Sequence, residues 1–428
     1  MKRALTLALA TAGCAVAADA ITLNTKPATT DWVEAVKQAL VVYENKDTFV
    51  TKVALTTRQQ WQMASVQPNG SNGLHLKDGA APFNQEFRRN WIGANVFMRT
   101  GTQFHTYVRI GGLPSRFTYS GGRTKKNFTY MGFYDIWLKQ NIDAVKGLTI
   151  RAGKFAPSFT SDFRMSNASM PCVERCYVAN QFALDTNWGV EANYTSPDKK
   201  DILYLQVFAN DRASNVYKPE HSDCYSRHDG FKGEFGWEDK CFAIIGATHK
   251  FNVTESGYHA ISGEYMHDFN NAYHGRRKPG ANNCGVDFKD AISLGYEVKY
   301  NKLTVMTNAV AAFEQQDGNG TNNIGLEIQP VYAVHPQVDL VFRYNGMTGK
   351  GACKLSADRY IYTQNSTTSA PSWVDSLHAF YFGVNLYASA KAKDAARIMF
   401  GAEYTTARKD GKDCYNGWEF TTALRTNF

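Results

Sequence analysis

Basic side chains recur at positions that would place them on a common face. Within segments that alternate apolar and polar residues, Lys52, Arg58, Arg89, Arg99, Arg109, Arg151 and Arg343 all fall on the polar side. Lys154, Arg164 and Arg175 follow in and after the segment that ends at Phe155. A guanidinium grips carboxylate or phosphate oxygens through two parallel N–H bonds. Arg or Lys side chains around a water-filled passage attract anions. The expected chemistry is therefore recognition and passage of anions rather than the making of bonds. Acids on the same faces, such as Asp135, Asp339 and Glu403, offer a second fate for these cations, as ion pairs that stiffen a polar wall.

Other reactive types are thinner. Eight cysteines occur, and one of them, Cys14, lies in the leader, so seven remain. An odd number leaves at least one thiol without a partner in the chain. Cys172 with Cys176, Cys224 with Cys241, and Cys353 with Cys414 are candidate disulfides. Cys172-Val173-Glu174-Arg175-Cys176 is not the Cys-x-x-Cys of redox and zinc sites, and no metal is expected there. His221, Asp223, His228 and Asp229 cluster in one long link. That mix suits a catalytic or metal site, but it also suits a solvated loop, since no partner residues recur at a fixed spacing. No phosphate-cradling Gly-x-x-x-x-Gly-Lys run, dinucleotide fingerprint or His-Glu-x-x-His helix is present, so neither a cofactor nor catalysis is expected.

The elements that would position these residues begin after a leader. Lys2 and Arg3 precede an apolar run and the small residues Ala15-Val16-Ala17, the pattern of a cleaved export signal over 1–18. A lipid attachment at Cys14 is the rival. Residues 19–47 form a lead-in with one short helix: Asp31 caps it, Glu34 stands three residues on, and Trp32, Val36, Leu40 and Tyr43 share a face. From residue 48 to 428, period-two segments follow one another. They are expected at about 49–65, 86–99, 102–112, 128–140, 147–155, 186–195, 201–209, 241–251, 257–268, 287–300, 302–313, 323–334, 337–345, 377–389, 395–408 and 415–428. Ile92, Ala94, Val96 and Met98 oppose Arg89, Asn95 and Arg99. Phe380, Phe382, Val384 and Leu386 oppose Tyr381, Asn385 and Tyr387.

Connections between these strands alternate short and long. Tight links such as Asn301 and His335-Pro336 take turns with 66–85, 113–127, 156–185, 210–240, 269–286, 314–322, 346–376 and 409–414. Transmembrane barrels are built this way, with tight turns at one rim and large loops at the other. All seven cysteines would lie on or beside the long links, and so at the outer rim.

Composition agrees. The chain has 26 Phe and 23 Tyr but only 12 Pro in 428 residues. Past the leader no apolar run reaches the roughly 18 residues a membrane helix needs. Barrel strands carry an apolar residue only at every second position, which keeps mean hydropathy low. The 47 basic residues, less Lys2 and Arg3, leave 45 against 39 acidic ones, a mild excess that does not suggest nucleic acid. The expected fold is all-β: a closed antiparallel transmembrane β-barrel of about 16 strands, a number that leaves a water-filled interior. Phe428 ends the last alternating strand, as in barrels assembled into outer membranes, and that strand must pair with the first to leave no edge facing lipid.

The Gly153-Lys154-Phe155-Ala156-Pro157-Ser158-Phe159 exit from the fifth strand, the Glu174-Arg175 pair late in the third long link, the early inner-face arginines and the terminal Phe together resemble the phosphate-selective porins O and P. The resemblance covers nearly the whole chain as architecture and residues 85–195 as motifs. It implies a sixteen-stranded barrel, a homotrimer and anion-preferring uptake, and in large porins the third long link folds inward to form the constriction. The loop cysteines depart from that pattern, and a full ladder of arginines is not matched. The expectation is an outer-membrane porin through which small anionic or neutral solutes diffuse, with the lipid bilayer as its other partner. The alternatives are a surface protein whose loops bind a partner, a barrel-embedded hydrolase, and a soluble sandwich, which has no reason to alternate its connections.

Overall fold

The computed structural model describes residues 31–68, 83–111, 129–182, 186–209, 241–269, 288–315, 321–355, 371 and 373–428. A helix, α1 (Trp32–Ala39), and a short strand, β1 (Val41–Glu44), come first. Long strands follow: β2 (Val50–Pro68), β3 (Phe83–Met98), β4 (Thr102–Gly111), β5 (Thr129–Asn141), β6 (Leu148–Phe155), β7 (Asn187–Thr195), β8 (Asp201–Ala209), β9 (Cys241–Thr254) and β10 (Gly257–Asp268). The rest are β11 (Asp290–Tyr300), β12 (Leu303–Gln315), β13 (Thr321–His335), β14 (Val338–Lys354), β15 (Trp373–Tyr387), β16 (Ala396–Lys409) and β17 (Lys412–Asn427). Each pairs antiparallel with the next, and β17 returns to β2 in register from Asn427 opposite Arg58 to Gly417 opposite Pro68. The result is a closed barrel of 16 strands.

Side-chain alternation decides which way each strand faces. Phe382 is 54% exposed and its neighbour Tyr381 3%. Leu340, Phe400, Phe420 and Leu424 continue the outward apolar belt. Their rings pack across strands, Phe342 on Phe382 at 5.0 Å and Tyr404 on Trp418 at 5.1 Å. Such cross-strand pairs stabilise a sheet and hold its register.

The expected strands are all present, β8 and β10 at the same bounds. The departures have physical causes. The helix keeps its Asp31 cap, whose carboxylate accepts from Val33 N at 2.9 Å, but it stops at Ala39, so Leu40 and Tyr43 do not extend its apolar face. β17 ends opposite Arg58 and leaves the lower edge of β2 open. β1 fills that edge, Glu44 opposite Lys52 and Val41 opposite Ala54. Trp32 then meets Phe428 edge-on at 6.0 Å. The expected long link 409–414 is instead the two-residue turn Asp410-Gly411, both at positive φ (51° and 73°), which suits a hairpin of right-twisted strands. β14 runs on to Lys354 through Gly346, Gly349 and Gly351, glycines that interrupt the alternation and read as a link. Cys353 and Cys414 therefore sit in strands rather than loops.

The interior is not simply water. Residues 156–182 turn inward and pack against the wall. At the end of the barrel where the long links leave, Phe155, Phe159, Val178 and Phe182 join Phe208, Phe242, Ile244, Met266 and Phe288 in one apolar core.

Candidate functional site

The inward segment carries two short helices, α2 (Ser161–Arg164) and α3 (Tyr177–Phe182). Thr160, at φ 70°, caps α2 by accepting from Phe163 N at 3.4 Å. The two legs of the segment are clipped together. Arg175 faces Asp162 at 3.5 Å, donates to Asn167 Oδ1 at 2.7 Å and to Met165 O at 3.2 Å, and lies over the Phe163 ring.

Wall residues then hold the segment by its carbonyls. Arg343 donates to Glu174 O at 2.8 Å, Asn385 to Pro171 O at 2.8 Å, and Arg397 to Met170 O at 2.7 Å. Arg425 reaches Met170 O and Val173 O, each at 3.0 Å. The Glu174 side chain accepts from Arg88 at 2.8 Å and from Gln62 at 2.9 Å. A carbonyl buried inside a barrel has no bulk water to turn to, so each needs such a donor. Arg397, Arg425 and Gln62 were not expected to have a role. In sequence they look like any other inward polar residue, because their partners lie more than a hundred residues away.

The structure divides the cations expected to line a passage. Arg343 is buried against Glu403 at 2.9 Å, and Arg89 against Glu174 at 3.9 Å. Arg151 pairs with Glu191 at 2.8 Å, and Arg164 meets Glu264 directly. Arg109 lies 4.6 Å from the Tyr134 ring centre. Arg99 is exposed in a tight turn at the short rim, beyond the end of β3. Lys154 is three residues from the inward Arg151 and so on the opposite, outward face, where its Nζ donates to Phe133 O at 3.0 Å. Arg58 has no acid partner among the described residues. Its Nε donates to Asn427 Oδ1 at 2.9 Å, and its guanidinium rests 5.2 Å from Tyr107 and 5.6 Å from Trp91.

Between the inward segment and the wall of β2–β6 lies a cavity of about 500 Å³. Arg58, Arg151, Arg164 and Arg175 line it, with Tyr107, Tyr134, Trp137 and Phe163 and one aspartate, Asp135. Glu191, Glu264 and Asp162, the carboxylates paired with three of these arginines, are not among its lining residues. Arg89, Arg99, Arg109, Lys154 and Arg343 do not line it.

Cys172, Cys176, Cys241, Cys353 and Cys414 are free thiols. The expected Cys172–Cys176 and Cys353–Cys414 bridges are therefore absent. Cys172 and Cys176 lie within the barrel rather than at its outer rim. Cys172 donates to Gln329 at 3.0 Å, whereas Cys176 accepts from Ala179 N at 3.3 Å. Burial pushes the Cys172 thiol up to about 12, which keeps it protonated and unreactive. Cys224 and the His221, Asp223, His228 and Asp229 cluster lie outside the described residues.

No family model and no curated protein matches the sequence. Solved structures do match. OprB of Pseudomonas putida aligns with 88% of this chain and 94% of its own at 12% identity and TM-score 0.53. OmpT of Vibrio cholerae, an outer-membrane protein, aligns with 90% and 100% at 9% identity and TM-score 0.50. The outer membrane channel DcaP of Acinetobacter baumannii aligns with 88% and 97% at 11% identity and TM-score 0.49. What this chain shares with OprB and OmpT is the fold.

Proposed function

We propose that this chain is an outer-membrane porin through which small solutes diffuse without chemistry, with a preference for anions. The observation that carries the reading is that four arginines and one aspartate line the 500 Å³ cavity, while the carboxylates paired with three of those arginines do not. A passing anion meets positive charge before it meets the compensating negative charge, and in a narrow, partly desolvated passage that order sets the sign of the barrier. Phosphate and related oxyanions suit the guanidinium fork, in keeping with the resemblance to phosphate-selective porins.

In this reading residues 1–18 are a cleaved export signal, 19–47 a lead-in on the inner side of the membrane, and 48–428 the barrel domain. The likeness in fold to OmpT and OprB supports the membrane location. A homotrimer is supported by the outer face of β2–β6. Thr57, Gln59 and Lys154 there would face lipid at a cost unless a second copy covers them.

Planar-bilayer recording in a salt gradient tests the proposal. The wild type should show a reversal potential of anion-selective sign, and recordings of a trimer should close in three equal steps. Arg58→Gln should move the reversal potential toward zero with little loss of stability, because Arg58 leaves no acid stranded. A wild-type channel that prefers cations, or a variant with an unchanged reversal potential, defeats the anion reading.

A further inference from the structure

Asp162, Cys176 and Glu327 bring one donor atom each to a common point, all within 4.8 Å of one another. All three residues are buried. They come from three places: α2 at the start of the inward segment, the residue before α3 at its return, and the wall strand β13. Glu327 is 3% exposed, and its Oε1 has no hydrogen-bond partner among the described residues. A carboxylate oxygen cut off from water and left without a donor is costly, and a Glu327 oxygen lies within 4.8 Å of donor atoms of Asp162 and Cys176.

We propose that the three residues bind one zinc ion, which staples both legs of the inward segment to the barrel wall. The donor set fits. Zinc takes thiolate and carboxylate ligands in a tetrahedron, and with bonds of 2.0–2.3 Å its donors stand about 3.5 Å apart. The three atoms must close by about 1 Å on binding, and a water completes the four. A thiolate among the ligands argues against calcium and magnesium, which take oxygen alone.

Charge points the same way. Three anionic donors carry −3, an ion supplies +2, and Arg175, 3.5 Å from Asp162, supplies the remaining +1. Arg343, the other nearby cation, is already matched by Glu403 at 2.9 Å. Asp162 Oδ2 also accepts from Cys176 N at 3.0 Å, so two ligands orient one another before any ion arrives. Ligands held by outer partners in this manner bind metal more tightly.

The staple shares the Asp162–Arg175 pair with the cavity described above, which Arg175 lines, but its test does not use conduction. The full-length barrel, purified in detergent, is stripped with chelator, equilibrated with Zn²⁺ and desalted. Elemental analysis should find about one zinc per chain in the wild type and roughly tenfold less in Cys176→Ser and Glu327→Gln, because ligand loss removes most of the affinity. Heat-modifiable gel mobility checks that the variants fold. X-ray absorption at the zinc edge of the wild type decides the matter even if they do not. A shell of one sulfur with the rest oxygen supports the site. Two or more sulfurs, or histidine nitrogens, overturn it. So does zinc retained in Cys176→Ser, and so does a wild type with no zinc.

Discussion

The two sides of the barrel interior start from the same strand pattern and reach different ends. On the β2–β6 side, inward arginines border a cavity, and their guanidiniums lie on aromatic rings. Arg58 rests on Tyr107 and Trp91, and Arg151 on Phe155 at 3.8 Å. On the β13–β17 side, inward polar residues are consumed by the segment packed against them. Arg343, Arg397, Arg425 and Asn385 all donate to its backbone carbonyls. An inward arginine is thus a selectivity element or a structural clasp according to what stands opposite it. The same guanidinium that attracts ions where it meets water organises backbone where it meets protein.

The clasp side should break first under mutation. Arg343→Ala removes a cation and leaves Glu403 buried without its partner. Losing one member of a buried pair costs roughly 3–5 kcal/mol. The thermal midpoint in detergent should fall, and single-channel conductance should rise as the segment around Glu174 loses one of its clasps. Unchanged midpoint and conductance together would erase the distinction between the two sides.

A neutral clasp should matter less. Asn385→Leu keeps the bulk of the side chain but strips the donor from Pro171 O. A buried acceptor left unsatisfied costs about 1–3 kcal/mol, readable as a lower unfolding midpoint with ion selectivity intact. A change in selectivity instead would mean that the packed segment governs the passage from both sides.

Much of this was legible in the sequence, and the boundary has a physical reason. Alternation is a local property, so it located the sixteen strands of the barrel but not β1, while the closure of β17 on β2 followed from the rule that no edge may face lipid. It weakened where glycines interrupt the pattern, as at Gly346, Gly349 and Gly351, and where an open sheet edge drew Val41–Glu44 out of a helical pattern. Lys154 was expected beside Arg151 on the passage, although its parity sets it on the opposite face. The motif after Phe155 marked the segment that folds inward. What alternation cannot carry is partnership. Arg343 and Glu174 lie 169 residues apart, and Arg425 and Val173 lie 252 apart. Nothing near Arg58 in the chain says that it stays without an acid while Arg151, on the same inner face, has Glu191.

The finest division on the cavity side is between charge and shape, and Arg151→Lys separates them. Lysine keeps the positive charge but loses the planar fork, and it forms a point contact where arginine lies flat. It can still reach toward Glu191, so no carboxylate is stranded. The lost stacking on Phe155 is worth about 0.5–1 kcal/mol, and the unfolding midpoint should fall only slightly. If attraction by fixed charge governs entry, the reversal potential stays close to wild type while phosphate blocks chloride current less strongly, because block depends on the paired N–H bonds. A reversal potential that collapses in the lysine variant would show that the ring-held geometry, rather than the charge, is what the open side of the barrel contributes.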